Sequence, residues 1–248
     1  MQSFELLGAD GKRIRGDHAD GIDRQILFIT GFLSKRWGNK SKALAQWCQE
    51  KGWGFCCYDV RGFGDSEGQF TDYTLSDWIA DAQTVLESVK SGPPITIVGN
   101  SLGSWIAWLV AQGFPIVEEL ILVAPAFNMM GQRAKTISQD RLHDWHTAGW
   151  MPWDDDPLHK DWPLSWKWVE ESEAYWAKTF NYPCPVKTTI LHGLQDTVIL
   201  PEGSKSFADE LLRCDPNFPL DLRLIPGDHR LSGPEHLDLF CRLVMRKA

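Results

Sequence analysis

The chain has 248 residues, 43% hydrophobic and 23% charged, so it can bury the core of one large α/β domain or of two small ones. Its formal net charge of −8 argues against a nucleic-acid-binding protein or an anionic-membrane-surface protein, since both need clustered Lys and Arg. The six cysteines are scattered, and no apolar run approaches the roughly 18 residues of a membrane span. We therefore expect a cytoplasmic protein with no disulfide framework and no membrane span.

The first half of the chain alternates short apolar runs with helical patterns. Asp10-Gly11 predicts a hairpin near the N-terminus. Four continuous apolar runs then predict strands buried on both faces: RQILFIT (24–30), WGFCCYDV (53–60), ITIVG (95–99) and VEELILVAPA (117–126). The stretches between them have helical spacing: 40–52, 74–90 and 101–113. This order predicts right-handed βαβ units and a mostly parallel central sheet with helices on both faces.

The alternation stops between residues 127 and 183, where the chain is rich in Trp, Asp and Pro and has no buried-strand run. It resumes with a strand (186–193), a helix (201–213), a strand (220–227) and a last helix (234–247). We therefore predict a core domain formed by residues 1–126 and 184–248. Residues 127–183 are predicted to be an inserted lid, called the cap below.

Ser101 lies between Gly99 and Gly103 in the stretch VGNSLGSW, directly after a predicted strand and before a predicted helix. A sharp strand-to-helix turn strains its apex residue, and glycines two positions away leave room for the turn. The side chain at the apex then projects above the carboxyl edge of the sheet. This is the context that the G-x-S-x-G nucleophile motif requires, so Ser101 is the predicted nucleophile.

A serine hydroxyl needs a base, and the base needs an orienting carboxylate. Asp196 and His229 each follow a predicted strand, and the order Ser101, Asp196, His229 is the order of this class of enzymes. Other residues could compete for these roles. For Asp228 we favour shaping of the loop, for Asp59 anchoring of a glycine-rich turn, and for His192 packing or hydrogen bonding at a strand end.

Acyl transfer also needs donors for the oxygen that becomes negative. The backbone N–H of Leu102 follows the nucleophile and opens a helix, which favours an anion. A second donor is expected from the loop TGFLSKRWGNK, with the N–H of Phe32 as the candidate. The alternative is that Phe32 only lines the pocket.

The motifs GNSLG, DVRGFGDSEG, HGLQDTVI and GDHR together make the chain, from about Gln25 onward, resemble the α/β-hydrolase superfamily. The run from FITGFLSKRWGN to DVRGFGDSEG is similar to its branch of mitochondrial palmitoyl-protein thioesterases and acyl-glucuronide esterases. The resemblance implies a serine hydrolase of esters or thioesters that needs no cofactor. It places the nucleophile, acid and base on Ser101, Asp196 and His229, and the oxyanion donors on Leu102 and Phe32. One departure is Thr30, which stands where a histidine is common.

Seven of the thirteen tryptophans fall between Trp145 and Trp176. Their rings could form an apolar, rigid wall over the nucleophile. Trp145, Trp150 and Trp153 are therefore the candidate substrate-binding residues, although each could equally serve to attach the cap to the core. His143 with His146, and Asp154–Asp156 with His159, lack further ligands at matching spacing, so no metal is expected.

These features predict a hydrolase that cleaves carboxylic esters with an apolar acyl or aryl group through an acyl-enzyme. The expected partner is thus a small-molecule ester or thioester. An acyl-thioesterase is the alternative enzyme, since its chemistry passes through the same intermediate. A peptidase is less favoured, because the cap offers no evident acidic pair for a substrate amine. An alternative from another class is a non-catalytic small-molecule receptor on the same fold.

Overall fold

The computed structural model describes residues 1–153, 162–181 and 186–244. The strands of the described part are β1 (Gln2–Leu7), β2 (Arg13–Ala19), β3 (Gln25–Ile29), β4 (Gly54–Tyr58), β5 (Ile95–Asn100), β6 (Val117–Val123), β7 (Trp150–Trp153), β8 (Trp162–Ser165), β9 (Lys187–Gly193) and β10 (Leu220–Ile225). Its α-helices are α1 (Asn39–Lys51), α2 (Leu75–Val89), α3 (Leu102–Ala111), α4 (Met129–Thr136), α5 (Gln139–Ala148), α6 (Lys167–Trp176), α7 (Pro201–Cys214) and α8 (Pro234–Val244).

Eight of these strands form one sheet in the order β1-β2-β4-β3-β5-β6-β9-β10. The hairpin β1–β2 is antiparallel and joins β4 in an antiparallel pairing, whereas every pairing from β4 to β10 is parallel. This arrangement confirms the predicted α/β-hydrolase fold with its mostly parallel sheet. The parallel strands point the same way, so their carboxyl ends meet at one edge of the sheet.

Helices cover both faces of the sheet, and the strand residues alternate between two hydrophobic layers. In β3, Leu27 and Ile29 face the layer formed with α2, α3 and α7. The intervening Ile26 and Phe28 face the layer formed with α1 and α8. All five residues of β3 are buried, which explains why this strand appears in the sequence as a continuous apolar run.

The ends of the helices follow from local sequence. α1 ends at Gly52, which adopts the left-handed conformation (φ 68°) that glycine accommodates without strain. α2 begins after Thr74, whose N–H donates to the Asp77 carboxylate at 2.9 Å in the predicted capping box. Within the described ranges, no helix has both the length and the apolar character that crossing a membrane requires. The described cysteines are free thiols: Cys48, Cys56, Cys57, Cys214 and Cys241.

The stretch between β6 and β9 contains more regular structure than its sequence indicates. Helices α4, α5 and α6 lie here, and β7 and β8 form a separate two-stranded antiparallel ribbon. The sequence predicted no buried strand here, and the ribbon is indeed only partly buried. The boundaries proposed for the cap stay a prediction, and the segments 154–161 and 182–185 lie outside the described residues.

Helix α6 fastens this segment to the core. The Trp168 indole N–H donates to the carbonyl of Tyr73 at 3.1 Å, just ahead of α2. The Glu171 carboxylate accepts from the Thr74 hydroxyl and from the Ser76 N–H, both at 2.9 Å. The first turn of α2 thus receives a carboxylate where its N–H groups and helix dipole favour negative charge.

Candidate active site

Ser101 lies at the apex of the turn between β5 and α3. Its backbone has φ 54° and ψ −119°, a strained conformation for a residue with a side chain. A Cβ on Gly99 would lie 2.4 Å from Ser104 Cα, and one on Gly103 would lie 2.3 Å from the Ile29 carbonyl oxygen. The turn is therefore possible only with glycine at both positions, and it holds the Ser101 side chain at the carboxyl edge of the sheet.

The structure brings Ser101, His229 and Asp196 together in one hydrogen-bonded line. His229 Nε2 lies 3.1 Å from Ser101 Oγ, and His229 Nδ1 lies 2.7 Å from Asp196 Oδ2. The three residues follow β5, β10 and β9, respectively, so the line runs along a single edge of the sheet. The arrangement can move the Ser101 hydroxyl proton onto an imidazole that a carboxylate orients.

The Asp196 carboxylate is buried and accepts four hydrogen bonds. Oδ1 accepts from the N–H groups of Val198 and Ile199, both at 2.9 Å. Oδ2 accepts from His229 and also from Nε2 of His192, at 3.0 Å. Burial by itself would raise the pKa of Asp196, but the hydrogen bonds from His192, His229 and Ile199 outweigh it and hold this pKa well below its ordinary value of 3.8. Asp196 is therefore ionised at neutral pH.

Backbone contacts tie together the two loops that carry Asp196 and His229. The Gln195 N–H donates to the Gly227 carbonyl at 2.9 Å, and the Gly227 N–H donates back to Gln195 Oε1 at 2.5 Å. Asp228 accepts from the N–H groups of Arg230 and Leu231 at 3.0 and 3.1 Å, so it shapes its own loop. Sequence reasoning missed Gln195, because a glutamine in a loop gives no signal of which backbone it will contact.

Asp59 is placed away from this line, at the end of β4. Its Oδ1 accepts from the Arg36 N–H at 2.6 Å, and its Oδ2 accepts from the Asp65 N–H at 3.0 Å. The Arg36 guanidinium also pairs with Asp59, and with Asp17 at 2.7 Å. Asp59 thus anchors the glycine-rich turn and the loop after β3.

The two expected oxyanion donors lie on either side of Ser101. Leu102 is the first residue of α3, where backbone N–H groups have no partner inside the helix. Phe32 follows Gly31, and a Cβ on Gly31 would lie 3.1 Å from Ser101 Cβ. The Ser34 N–H donates to the Gly31 carbonyl at 3.2 Å and closes a tight turn around Phe32. Gly31 and Leu102 thus border Ser101, and the role of the Leu102 and Phe32 N–H groups as donors stays a prediction.

Backbone strain is concentrated at the edge that carries the site. Within the described ranges, the non-glycine residues with positive φ are Leu33 (51°), Ser101 (54°), Ala124 (45°), Asn128 (51°) and Leu231 (41°). All five follow the carboxyl ends of the parallel strands β3, β5, β6 and β10. Strain of this kind persists only where the surrounding structure enforces it, and it is typical of functional edges.

The three candidate cap tryptophans have different environments. Trp145 is 1% exposed, and its indole N–H donates to the Leu164 carbonyl at 2.8 Å, a position that favours packing over contact with substrate. Trp153 packs with its ring 5.5 Å from that of Phe32 and faces the Arg133 guanidinium at 4.7 Å. Trp150 is 56% exposed.

Trp150 lines a cavity of about 590 Å³ between the loop that precedes α2 and the β7–β8 ribbon. Most of its wall is apolar, formed by residues such as Phe70, Leu164 and Trp168. The rings of Phe70 and Trp168 also lie 5.9 and 5.4 Å from the ring of Phe32. Phe32, in the loop that follows β3, thus packs against two of the residues that line the cavity.

Comparison with known proteins agrees with this geometry. The family described as "Serine aminopeptidase, S33" matches residues 22–153, just over half of the chain. The chain belongs to this family. It is therefore an α/β hydrolase, in agreement with the fold described above.

The S33 family member described here is also similar to individual proteins. One relative is the mitochondrial palmitoyl-protein thioesterase ABHD10 of mouse, with 29% sequence identity. The match covers 96% of this chain and 78% of the mouse protein. The solved structure of the mouse alpha/beta hydrolase domain-containing protein 10 superposes with a TM-score of 0.84 at 22% identity, covering 99% of this chain and 97% of that one. The structure of Est1E from Butyrivibrio proteoclasticus with bound ferulic acid superposes with a TM-score of 0.77 at 21% identity, covering 97% of this chain and 96% of that one. At these identities the two structures show the shared fold.

Proposed function

We propose that this hydrolase cleaves carboxylic esters with an apolar acyl or aryl group, using Ser101, His229 and Asp196. The observation that carries the proposal is the pair of contacts made by one imidazole, 3.1 Å to Ser101 Oγ and 2.7 Å to Asp196 Oδ2. With Nδ1–H donated to the carboxylate, Nε2 is left to accept the hydroxyl proton. The strained turn holds that hydroxyl at the edge of the sheet, where a carbonyl carbon can reach it.

In the proposed reaction, Ser101 Oγ attacks the carbonyl carbon while His229 Nε2 takes the hydroxyl proton. The N–H groups of Leu102 and Phe32 donate to the oxygen that becomes negative. The tetrahedral intermediate then breaks its bond to the leaving oxygen, and His229 returns the proton to the departing alcohol. Water, activated by the same imidazole, repeats the attack on the acyl group at Ser101 and releases the acid.

An apolar acyl or aryl group is supported by the surroundings of Phe32. Its ring packs 5.5 Å from that of Trp153 and 5.4 Å from that of Trp168, so the second proposed oxyanion donor borders an aromatic surface. Such a surface favours apolar groups over charged ones.

A thioester is the second candidate substrate, and the relatives favour it. The mouse protein that is 29% identical is named a palmitoyl-protein thioesterase. The proposed steps need only a different leaving group, a thiol in place of an alcohol.

The family description includes aminopeptidases, whose substrates carry a free amine. In α6, Glu171 accepts from Thr74 and Ser76, and Glu173 pairs with Lys135 at 3.2 Å. Because protein groups already engage both carboxylates, these carboxylates can bind a substrate amine less readily than unengaged carboxylates could. This supports an ester or thioester over a peptide.

The test is a panel of p-nitrophenyl esters from acetate to palmitate beside S-acyl thioesters of the same acyl groups. We expect a burst of one product equivalent per enzyme, and mass spectrometry should place the acyl group on the peptide that contains Ser101. The Ser101→Ala variant should lose at least about 10⁴-fold in kcat while its circular dichroism stays that of the wild type. If no member of the panel gave a burst or turnover, this result would contradict the proposal and favour a non-catalytic receptor.

A further inference from the structure

His192 lies directly behind the proposed triad, near the end of β9, with no exposed surface. Its Nε2 lies 3.0 Å from Asp196 Oδ2 and 2.9 Å from the carbonyl oxygen of Ile199. Its Nδ1 lies 2.7 Å from Oγ of Ser204, a fully buried residue of α7. The imidazole therefore has a partner on each nitrogen, and all of them are buried or part-buried.

The identity of these partners fixes where the protons are. A carboxylate and a carbonyl can only accept, so Nε2 of His192 must carry the hydrogen that both of them share. In the neutral ring Nδ1 is then an acceptor, and the Ser204 hydroxyl donates to it. His229 uses the opposite tautomer, with its hydrogen on Nδ1 facing the same oxygen of Asp196. One carboxylate oxygen thus receives N–H groups from two imidazoles.

The other oxygen of Asp196 is equally occupied by the N–H groups of Val198 and Ile199. The two N–H groups hold Oδ1, and His192 adds a hydrogen bond to Oδ2 beside the one from His229. Without His192, Oδ2 would keep only the hydrogen bond from His229, so the carboxylate could shift together with that imidazole and would no longer fix its orientation. A buried carboxylate with a missing donor also incurs a desolvation cost that rearrangement would relieve.

We propose that His192 is a positioning residue for the hydrolysis proposed above: its Nε2–H holds the Asp196 carboxylate in the plane that orients His229. This inference rests on the proposed function only where it is tested by measuring activity. Ser204 completes the arrangement, because its hydroxyl can donate to the Nδ1 that this tautomer leaves without a hydrogen. His192 touches no substrate, so its effect should reach kcat through Asp196 and leave KM nearly unchanged.

Two amide substitutions separate this role from simple packing. In His192→Gln the amide nitrogen can reach the position of Nε2 and donate to Asp196. In His192→Asn the shorter amide reaches only the position of Nδ1. We expect His192→Gln to keep kcat on a p-nitrophenyl ester within about 5-fold, and His192→Asn to lose about 10- to 100-fold, the range for a lost hydrogen bond to a charged group. The same two substitutions at His18, on the distant strand β2, are the matched control and should leave kcat unchanged.

Equal losses of kcat in both His192 variants, or a change confined to KM, would overturn the proposal. A measurement on the wild-type protein keeps it testable if a variant fails to fold. In ¹⁵N-histidine-labelled protein at neutral pH, long-range ¹H–¹⁵N spectra should show His192 protonated on Nε2 and unprotonated on Nδ1. The reverse tautomer would overturn the proposal, because Asp196 would then have no donor on that side. The tautomer is read without any substrate, so a wild-type protein that hydrolyses nothing would contradict the proposed function and not this assignment.

Discussion

The edge of the sheet that carries the proposed triad and the predicted cap, residues 127–183, are stabilised by different kinds of contact. We call the loops after β5, β9 and β10 the carboxyl rim. In the rim, hydrogen bonds are dense: the Asp196 carboxylate accepts four, and Gln195 and Gly227 form two more with each other. In the cap, aromatic rings pack on one another and on core rings, as Trp153 does on Phe32, and side-chain hydrogen bonds link α6 to the start of α2.

This difference matters because hydrogen bonds are directional and apolar contacts are not. A displacement of about 0.5 Å in the rim would stretch the 3.1 Å contact between His229 and Ser101 beyond hydrogen-bond distance. Ring packing in the cap tolerates similar displacements with a small loss of contact energy. The rim should therefore determine the chemical step, and the cap should determine binding and stability.

Histidine substitutions in the two regions should give the largest difference in kcat. His229→Ala removes the proposed base and should lower kcat on a p-nitrophenyl ester by about 10⁴-fold. His146→Ala, its control in the cap, removes a ring that packs 4.9 Å from that of Trp166 and should change kcat less than about 3-fold. Steady-state kinetics and circular dichroism on both variants check the prediction. Comparable losses of kcat would mean that the cap takes part in the chemical step.

Glycine-to-alanine substitutions should lower the free energy of unfolding more beside Ser101 than in the cap. A Cβ at position 103 would lie 2.3 Å from the Ile29 carbonyl oxygen, so Gly103→Ala should lower the free energy of unfolding by at least about 3 kcal/mol. Gly149 in the cap has φ 77° and open space around it, so Gly149→Ala should cost only about 1 kcal/mol. Urea denaturation measures both values. Failure of the position-103 variant to fold would agree with the prediction, whereas a cost as small as that at position 149 would contradict it.

The same contrast explains how much of the molecule the sequence reveals. Strand β3 was predicted as 24–30 and is found as Gln25–Ile29, since a strand buried on both faces must be apolar throughout. Ser101 could be located because its turn permits only glycine at positions 99 and 103. These signals are local, so the chain order of strand, turn and helix was enough to find them.

The cap gives weaker signals, for physical reasons. In the ribbon β7–β8, Pro152 pairs with Pro163, and proline normally argues against a strand because it has no N–H to donate. Trp145 and Trp150 are the same residue type five positions apart, yet one is 1% and the other 56% exposed. Their burial depends on tertiary contacts that no local pattern records. His192 was expected to pack or hydrogen-bond at a strand end, and the structure confirms this, but its partner Asp196 was not predicted for the same reason.

The pH dependence of activity should sharpen the description of the rim. The hydrogen bonds that lower the pKa of Asp196 keep this carboxylate ionised throughout the mildly acidic range. A loss of activity in that range should therefore have a slope of one in log kcat/KM, since the carboxylate gains no proton there. A slope of two in that range would mean that Asp196 is protonated together with His229.

The same lowered pKa carries a consequence for folding. Because the folded-state pKa of Asp196 lies below its ordinary value of 3.8, its ionised form stabilises the fold above about pH 4. This contribution is lost as the pH falls further through the folded-state value. In Asp196→Asn it should be absent, so the stability difference between wild type and variant should shrink on acidification below about pH 4. Urea midpoints measured across that range check the sign.

The smallest expected effect concerns the anchor between the cap and the core. Glu171 is 13% exposed and accepts from Thr74 and Ser76 at the start of α2, where a negative charge is favoured. Glu171→Ala should lower stability by about 1.5 kcal/mol and raise KM a few-fold while kcat stays within about 2-fold. Glu170→Ala, at an exposed position one residue away, is the control and should change neither. If the two variants behaved alike, Glu171 would contribute nothing to the attachment of the cap, which would then depend on ring contacts and on the Trp168 hydrogen bond. A fall in kcat at position 171 would instead couple the cap to the chemical step.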